Sequence, residues 1–202
     1  MCSQLAEQER VFRELVTGSA WMVAALATVR DSGLPQAWVG AGVLRDLVWS
    51  ERYDTGFNPS DIHDVDVAFY DEADLTRDGD DRATGLLHRV RPEVPWEAKN
   101  QAAVHLWYHQ RFGGDPVPAL GSIRDAVATW PETATCVAVH LTIDGELEVC
   151  APFGLDDLLD GVWRRNAARI TVAVSQRRLS RLRPQSRWPG VRVIPPDEPS
   201  QR

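Results

Sequence analysis

Residues 38–46 are Trp-Val-Gly-Ala-Gly-Val-Leu-Arg-Asp, and this stretch decides how the chain around it folds. The apolar residues 37–39 predict a short strand that ends at Gly40, Ala41 and Gly42, after which apolar residues recur with helical spacing. A turn of small residues at the start of a helix lets backbone N–H groups and the positive helix end face a phosphate. The same turn could instead serve close packing, and it lacks the spacing of a dinucleotide-binding or Walker loop.

A pair of carboxylates follows on the next predicted strand, where residues 64–70 are Asp-Val-Asp-Val-Ala-Phe-Tyr. Side chains two residues apart project from the same face of a strand, so Asp64 and Asp66 point together while the apolar residues between them face the core. Two neighbouring carboxylates repel each other unless a divalent cation neutralises them, and Mg²⁺ suits a site of one or two carboxylates plus phosphate oxygens. An Asp-x-Asp pair alone also occurs at solvated strand ends, so the glycine turn strengthens the interpretation.

The two motifs together resemble the signature of polymerase-beta-type nucleotidyltransferases, a superfamily that includes CCA-adding enzymes and poly(A) polymerases. Four segments are similar to a bacterial family of small nucleotidyltransferase-like proteins: residues 40–46, 61–67, 96–101 and 151–158. The resemblance covers the chain from about residue 15 to about residue 165. It implies an α/β (α+β) fold, a mixed sheet flanked by helices. We expect a nucleotidyltransferase-like domain over residues 1–165, with an Arg-rich C-terminal segment over residues 166–202 packed on or beside it.

The resemblance also implies which residues form the site. Asp64, Asp66 and, on a neighbouring strand, Glu97 would be the catalytic carboxylates and would hold two Mg²⁺ (or Mn²⁺) ions. One ion would activate an acceptor hydroxyl for attack on the α-phosphorus of a nucleoside triphosphate, and the other would steady the departing pyrophosphate. The triphosphate would be bound by residues of the glycine turn and the following helix and strand: Gly40, Ala41, Gly42, Arg45 and Lys99. The expected function is metal-dependent transfer of a nucleoside monophosphate to a hydroxyl group.

Several of these residues have a second interpretation that the sequence leaves open. Glu97 and Lys99 could form a surface ion pair, and Arg45 could pair with Asp46 and brace the fold. Ala41 departs from the superfamily, in which a second adjacent glycine or a serine is usual, and its methyl group could crowd a phosphate. The helix that starts after residue 100 could present aromatic and polar groups to a base, or could form core and rim. A catalytically weak nucleotide- or metal-binding module acting through a partner is therefore the alternative function.

The charge of the chain is unevenly distributed. Residues 1–160 hold 12 basic and 27 acidic side chains, a net charge of −15, whereas residues 161–202 hold 10 basic and 2 acidic, a net charge of +8. The acidic body would repel a polyanion, which disfavours extended nucleic-acid binding, while the Arg-rich tail would attract one. The tail arginines either pair with acids of the body or border the cleft and attract phosphate groups.

The expected partners are a nucleoside triphosphate and an acceptor that the sequence does not identify: a protein, an RNA end, an antibiotic or a small metabolite. No apolar run approaches the roughly 20 residues that span a bilayer, so no membrane partner is expected. Three cysteines without Cys-x-x-Cys spacing argue against a disulfide framework and a zinc site. Together these features lead us to expect a cytoplasmic protein.

Weaker patterns predict the second half of the fold. Asp144-Gly145 indicates a two-residue hairpin loop between strands over 135–143 and 146–150. Apolar runs at 169–174 and 191–194 indicate two further strands. The accumulation of Pro, Ser and Arg after residue 183 suggests a loosely packed end.

Overall fold

The structure is a computed structural model that describes residues 2–112 and 116–196. The α-helices within these ranges are α1 (Cys2–Gly18), α2 (Ala20–Asp31), α3 (Gly42–Arg52), α4 (Arg77–Val90), α5 (Val104–Phe112), α6 (Ile123–Val127), α7 (Asp156–Leu159), α8 (Val172–Leu182) and α9 (Pro184–Arg187). The strands are β1 (Trp38–Gly40), β2 (Val65–Phe69), β3 (Trp96–Asn100), β4 (Ala138–Leu141), β5 (Leu147–Cys150), β6 (Val162–Trp163) and β7 (Arg192–Val193). Within this part of the chain, no helix combines the length and apolar character needed to cross a membrane.

Five strands form one mixed sheet in the order β3-β2-β1-β4-β5. The pair β2–β3 is parallel, and the pairs β1–β2, β1–β4 and β4–β5 are antiparallel. A second, two-stranded sheet pairs β6 with β7 in parallel. The predicted mixed sheet flanked by helices is confirmed.

Side-chain alternation along β2 separates the main core from the face that carries the carboxylates. Val65, Val67 and Phe69 are at most 4% exposed and belong to the large apolar cluster that includes residues of α1, α2 and α3. Ala68 points to the opposite face and packs in a smaller cluster with residues of α6. Asp66 shares the face of Ala68 because the two residues are two apart on one strand.

The helices beneath the sheet begin where the sequence provides caps and apolar stripes. Ser19 accepts a hydrogen bond from the backbone N–H of Met22 at 3.3 Å, which starts α2 immediately after α1 ends. Phe12 and Val16, one turn apart on α1, are fully buried, and burying each stabilises the fold by roughly 1.5–3 kcal/mol. These helices cover one side of the sheet, and the site lies on the other side, part of which packs against α6.

The prediction of a strand over residues 169–174 is wrong, because residues 169–171 form no strand and the helix α8 begins at Val172. Thr171 caps this helix by accepting from the N–H of Val174 at 3.3 Å. Ser175 is fully buried, and Leu179 and Leu182 pack against the main core. These positions recur with helical spacing, and that longer pattern outweighs the local preference of the β-branched run for a strand.

The hairpin between β4 and β5 is confirmed, but its loop is longer than the predicted two residues. Thr142 N–H donates to the Glu146 carbonyl at 2.8 Å, which closes a three-residue loop over 143–145. Gly145 has φ +83°, the left-handed conformation that such a loop places at its last position. Gly145 therefore provides the left-handed residue of a three-residue, bulged hairpin loop.

The end of the described chain is packed, which contradicts the expected loose segment. Trp188 and Val191 are each 2% exposed and belong to the main core. Trp188 also meets Trp49 edge to face, with ring centroids 5.3 Å apart. Burial of a large aromatic side chain outweighs the turn-forming composition around it.

Candidate active site

The pairing of β2 with β3 brings the predicted carboxylates to one face of the sheet. Asp66 lies directly opposite Glu97 on the parallel strand β3 and opposite Gly40 on the antiparallel strand β1. Asp64 immediately precedes β2 and is exposed, whereas Asp66 is half-buried. The structure therefore brings all three acids together, with Asp66 next to both of the others.

The three carboxylates affect one another electrostatically. Burial, followed by repulsion from Asp64 and Glu97, raises the pKa of Asp66 to about 7. The positive charges of Arg178 and Arg45 act in the opposite direction. A carboxyl group whose negative charge is this unfavourable is stabilised by a nearby cation.

The donor set fits a divalent cation that is only partly coordinated by protein. Within residues 2–112 and 116–196, no three His, Cys, Asp or Glu side chains stand close enough together to hold a metal ion by themselves. Mg²⁺ commonly uses one or two carboxylates and completes its octahedron with water and substrate phosphates. Asp64 and Asp66 fit such a site, and Glu97 is the neighbouring acid.

The glycine turn divides into a packing position and two positions near the carboxylates. A Cβ atom on Gly40 would lie 2.6 Å from the ring of Trp130 and 2.8 Å from the Val137 carbonyl oxygen. Gly40 is therefore required for close packing. A Cβ atom on Gly42 would meet only Arg45 Nη2 at 3.7 Å and Asp64 Oδ1 at 3.9 Å, so Gly42 lies beside the first carboxylate.

Ala41 adopts a backbone conformation that normally belongs to glycine. Its φ of +59° and ψ of −123° are rare for a residue with a side chain. Its N–H donates to the Val137 carbonyl at 3.1 Å and is therefore already engaged. Within the described residues no side chain caps α3, so the first N–H groups of this helix remain available to a ligand.

Arg45 is held in the fold and also borders the site. Its Nε and Nη2 atoms donate to Asp46 Oδ1 at 2.9 and 2.5 Å. Its guanidinium carbon lies 5.6–5.9 Å from the ring centroids of Trp49, Trp163 and Trp188. The ion pair between Arg45 and Asp46, which the sequence allowed as an alternative, is therefore present. The Arg45 side chain also lines a cavity beside the carboxylates.

A cavity of about 460 Å³ collects most of the predicted site residues. Its wall includes Ala41, Gly42, Arg45, Asp64, Asp66, Glu97 and Lys99. Gly40 lies outside this wall, beneath Trp130. Lys99 Nζ is 3.7 Å from Glu97 and 3.9 Å from Asp80, so the ion pair anticipated as an alternative is also formed.

The same wall contains residues that the sequence did not single out. Helix α8 contributes Arg178 and Arg181, and the segment before β4 contributes Trp130 and Thr135. Arg178 makes a two-point contact with the fully buried Glu132, with Nε–Oε1 and Nη2–Oε2 distances of 2.7 and 3.0 Å. The arginine run pointed to the tail as a whole, but no pattern in the sequence indicates which of its arginines meets the cleft.

The helix after β3 contributes less than the sequence allowed. Gln101, in the turn before α5, and Arg111, on α5, line the cavity. Trp107 and Tyr108 instead pack against the small cluster of Val104, Leu120 and Ala126, and Arg169 lies 4.8 Å above the Tyr108 ring. Trp107 and Tyr108 therefore pack against the protein interior and do not line the carboxylate cavity.

The acid-bearing mixed sheet, the glycine turn and the helix behind it define the polymerase-beta-like nucleotidyltransferase fold. The chain belongs to the nucleotidyltransferase family whose model matches residues 27–193. The matched range includes α8. This helix lies after the four motif segments on which the resemblance was based. Family membership assigns the chain to enzymes of nucleotidyl transfer. No curated protein matches the chain significantly.

Solved structures share the fold. A protein solved by NMR and described as a CCA-adding enzyme head domain is 27% identical, with a TM-score of 0.76 over 90% of this chain and 95% of its own. A CCA-adding enzyme in complex with CTP is 15% identical, with a TM-score of 0.55 over 92% of this chain. The apo form of a tRNA-processing enzyme is 16% identical, with a TM-score of 0.52 over 85% of this chain. This chain spans only 43% and 42% of these last two proteins, so they indicate the fold alone.

Proposed function

We propose that this protein transfers a nucleoside monophosphate from a nucleoside triphosphate to the hydroxyl group of an acceptor, and that it requires Mg²⁺ or Mn²⁺. One observation carries the proposal. Asp66 stands opposite Glu97 and close enough to Asp64 for their charges to raise its pKa to about 7, beside a helix N-terminus that no side chain among the described residues caps. The carboxylates can bind a cation, and the N-terminus of the helix can bind phosphate oxygens. The arrangement therefore suits a complex of a cation with a phosphate group.

Asp64 and Asp66 would hold the cation, with Glu97 as the third acid near it. When bound, a divalent cation neutralises phosphate charge and lowers the pKa of a bound hydroxyl group. The protein's own contribution is to fix the two aspartates on a rigid strand and to place the start of α3 beside them. Positioning and charge neutralisation therefore provide the catalysis, and no covalent intermediate is needed.

Basic side chains around the carboxylates would bind the triphosphate. Lys99, on the same strand face as Glu97, and Arg178 and Arg181, on α8, line the same cavity as the acids. Arg178 already pairs with Glu132, and Lys99 already pairs with Glu97 and Asp80, so Arg181 has more of its charge available to phosphate oxygens. Gly42 would allow a phosphate to approach α3 because it has no side chain in the way.

Binding of a non-hydrolysable nucleoside triphosphate analogue tests the first half of the proposal. We expect binding that requires Mg²⁺ or Mn²⁺ and that falls at least about tenfold in Asp64→Asn and in Asp66→Asn, because each change removes a charged ligand of the cation. Asp144→Asn, in the exposed hairpin loop, is the matched control and should bind like the wild type. Equal binding by all four proteins would remove the basis for a metal site here.

A second candidate function is nucleotide or metal binding without efficient transfer, with the protein acting through a partner. Two observations favour it: the Ala41 N–H is already bonded to Val137, and Arg45 is committed to Asp46. Both features withdraw groups that could otherwise hold phosphates. Turnover separates the two functions, since a binding module would bind the analogue but release no pyrophosphate from a true triphosphate.

A further inference from the structure

A second cavity, of about 440 Å³, adjoins the carboxylate cavity. The two cavities have five wall residues in common: Gly42, Arg45, Asp64, Arg181 and Leu182. Asp66 and Glu97 border only the first cavity, whereas Arg187 and Trp188 border only the second. Asp64 is therefore the one predicted metal ligand that both cavities reach.

The wall of the second cavity carries more positive charge than its own acids neutralise. Asp46 is shared by two guanidinium groups, because Arg45 Nε donates to one of its oxygens at 2.9 Å and Arg187 Nη1 donates to the other at 2.5 Å. A single carboxylate balances only one of these charges. Arg181 is exposed and has no hydrogen-bond or ion-pair partner in the described part of the chain. His63 also borders the cavity, and Asp64 is the remaining acid, assigned above to the cation.

Two buried tryptophan rings form part of the same wall. Trp163 and Trp188 are 1% and 2% exposed, and neither indole N–H has an acceptor among the described residues. These two N–H groups have almost no accessible surface, so the rings border the cavity but the N–H groups provide no accessible donors to its occupant. The three guanidinium groups at this wall, two of which share Asp46, favour an occupant with several acceptor oxygens.

The size of this cavity favours a small molecule. Its volume falls within the roughly 300–1,000 Å³ that is usual for small-molecule sites. The body of the chain, residues 1–160, has a net charge of −15, which opposes the approach of a long polyanion. Arg45, Arg181 and Arg187 supply the positive charge at this cavity.

We infer that the second cavity binds the acceptor and that the acceptor is a small phosphorylated molecule with a free hydroxyl group. This inference rests on the proposed transferase function. The acceptor phosphate binds Arg181 and Arg187, and the hydroxyl group reaches across Asp64 to the nucleotide in the first cavity. The hydroxyl oxygen forms a bond to the α-phosphorus, the bond from the α-phosphorus to the bridging oxygen breaks, pyrophosphate leaves with the electron pair, and the hydroxyl proton passes to water.

Binding of simple probes to the full chain tests the inference without turnover. The eight tryptophans give separate indole N–H signals in an NMR spectrum, so Trp163 and Trp188 can be followed while Trp21 and Trp107 serve as internal references. We expect glycerol phosphate or ribose phosphate to shift the signals of Trp163 and Trp188 in a saturable manner. Glycerol and ribose, which lack the phosphate, should leave them in place.

Charge variants assign the binding to this cavity. Arg187→Gln should weaken phosphate-probe binding about tenfold, the usual scale for losing one hydrogen bond to a charged group. Arg192→Gln removes an equal charge from an exposed position outside both cavities and should bind normally. Arg181→Gln is the second variant if Arg187→Gln lowers the melting temperature, because Arg181 is exposed and makes no contact that holds the fold.

The results of the probe-binding experiment either support or overturn the acceptor cavity. The inference is overturned if neither phosphorylated probe shifts the two signals, if the uncharged sugars shift them equally, or if only a short single-stranded RNA does so. Failure of the transferase function is distinguishable: in that case the wild type either does not bind the triphosphate analogue or binds it but releases no pyrophosphate from a true triphosphate, whatever the phosphate probes do. Analogue binding with no effect of any phosphate probe would reject the acceptor cavity alone.

Discussion

Arg178 of α8 contacts both carboxylate oxygens of Glu132, a residue with no exposed surface, at 2.7 and 3.0 Å. This pair connects α8 to the segment before β4, and Arg178 also faces Asp66 across the cavity. A bidentate contact with a buried acid fixes the position of the helix more firmly than a surface ion pair would. The wall of the cleft that α8 provides therefore depends on this contact.

Breaking that pair should destabilise the protein. Arg178→Gln leaves the Glu132 carboxylate buried without its partner, and we expect the free energy of unfolding to fall by about 3–5 kcal/mol. The neighbouring exposed Arg177→Gln should change it by less than about 0.5 kcal/mol. Urea denaturation measures both. The double variant Arg178→Gln with Glu132→Gln should recover part of the loss, and no recovery would mean that the pair itself is not the cause.

The two glycines of the turn should respond differently to alanine. Gly40→Ala places a methyl group 2.6 Å from Trp130 and should cost about 1–3 kcal/mol of stability through overpacking. Gly42→Ala meets only ordinary contacts at 3.7 and 3.9 Å and should leave the melting temperature nearly unchanged while weakening triphosphate binding. Thermal denaturation and analogue binding distinguish the two. Similar melting temperatures for both variants would contradict the packing role of Gly40.

Ala41→Gly should stabilise the protein. The φ of +59° costs an alanine on the order of 1 kcal/mol that glycine does not incur. Ala24→Gly, at an exposed position inside α2, is the control and should instead destabilise by about 1 kcal/mol. Opposite signs for the two alanine-to-glycine changes are expected in denaturant titrations. A loss of stability in Ala41→Gly would show that the turn is not strained.

The titration of Asp66 should make the metal-free protein progressively less stable as the pH rises from about 4 to about 7. The fold raises the pKa of Asp66 from 3.8 to about 7, so in this window the folded state binds more protons than the unfolded state. Stability decreases with pH wherever the folded state binds the extra proton. This loss of stability is absent below the pKa that Asp66 has in the unfolded chain and is complete above the pKa that it has in the folded protein. It should reach on the order of a few kcal/mol.

The variant Asp66→Asn isolates the origin of that slope. The substitution removes the titrating group, so its metal-free form should exceed the wild type in stability at pH 8 and show a flatter pH dependence. Added Mg²⁺ should stabilise the wild type at pH 8 more than the variant. Parallel pH profiles for the two proteins in the presence of a chelator would assign the slope to other groups.

Strand periodicity and the glycine turn, which are local patterns, indicated the pair Asp64 and Asp66 and a phosphate-facing turn, whereas Glu97 came from the resemblance to the superfamily. Asp64 and Asp66 share a face through the two-residue alternation, and Glu97 joins them because β3 is the parallel neighbour of β2. The roles of these residues in metal and nucleotide binding remain predictions. Local sequence patterns could not predict contacts between the tail and distant parts of the chain. Examples are the ion pairs of Arg178 with Glu132 and of Arg187 with Asp46.

The tail also shows why composition alone misleads. Arginine, proline and serine suggested a loose end, yet Trp188 and Val191 complete the main core. Deleting residues 175–202 would therefore unfold part of the core as well as remove the arginines. Substitution of the exposed Arg181 is the cleaner test of whether the tail binds phosphate, since burial is not disturbed.

The most direct measurement of the central claim is transfer itself. The purified protein is incubated with each nucleoside triphosphate labelled at the α-phosphorus, with Mg²⁺ or Mn²⁺ and a cell extract, and both labelled products and released pyrophosphate are recorded. We predict that one triphosphate labels a discrete acceptor with equal release of pyrophosphate, that Asp66→Asn abolishes both, and that Asp144→Asn preserves both. Equal labelling by wild type and Asp66→Asn, or no pyrophosphate release by a folded wild type that binds the triphosphate, would contradict the claim.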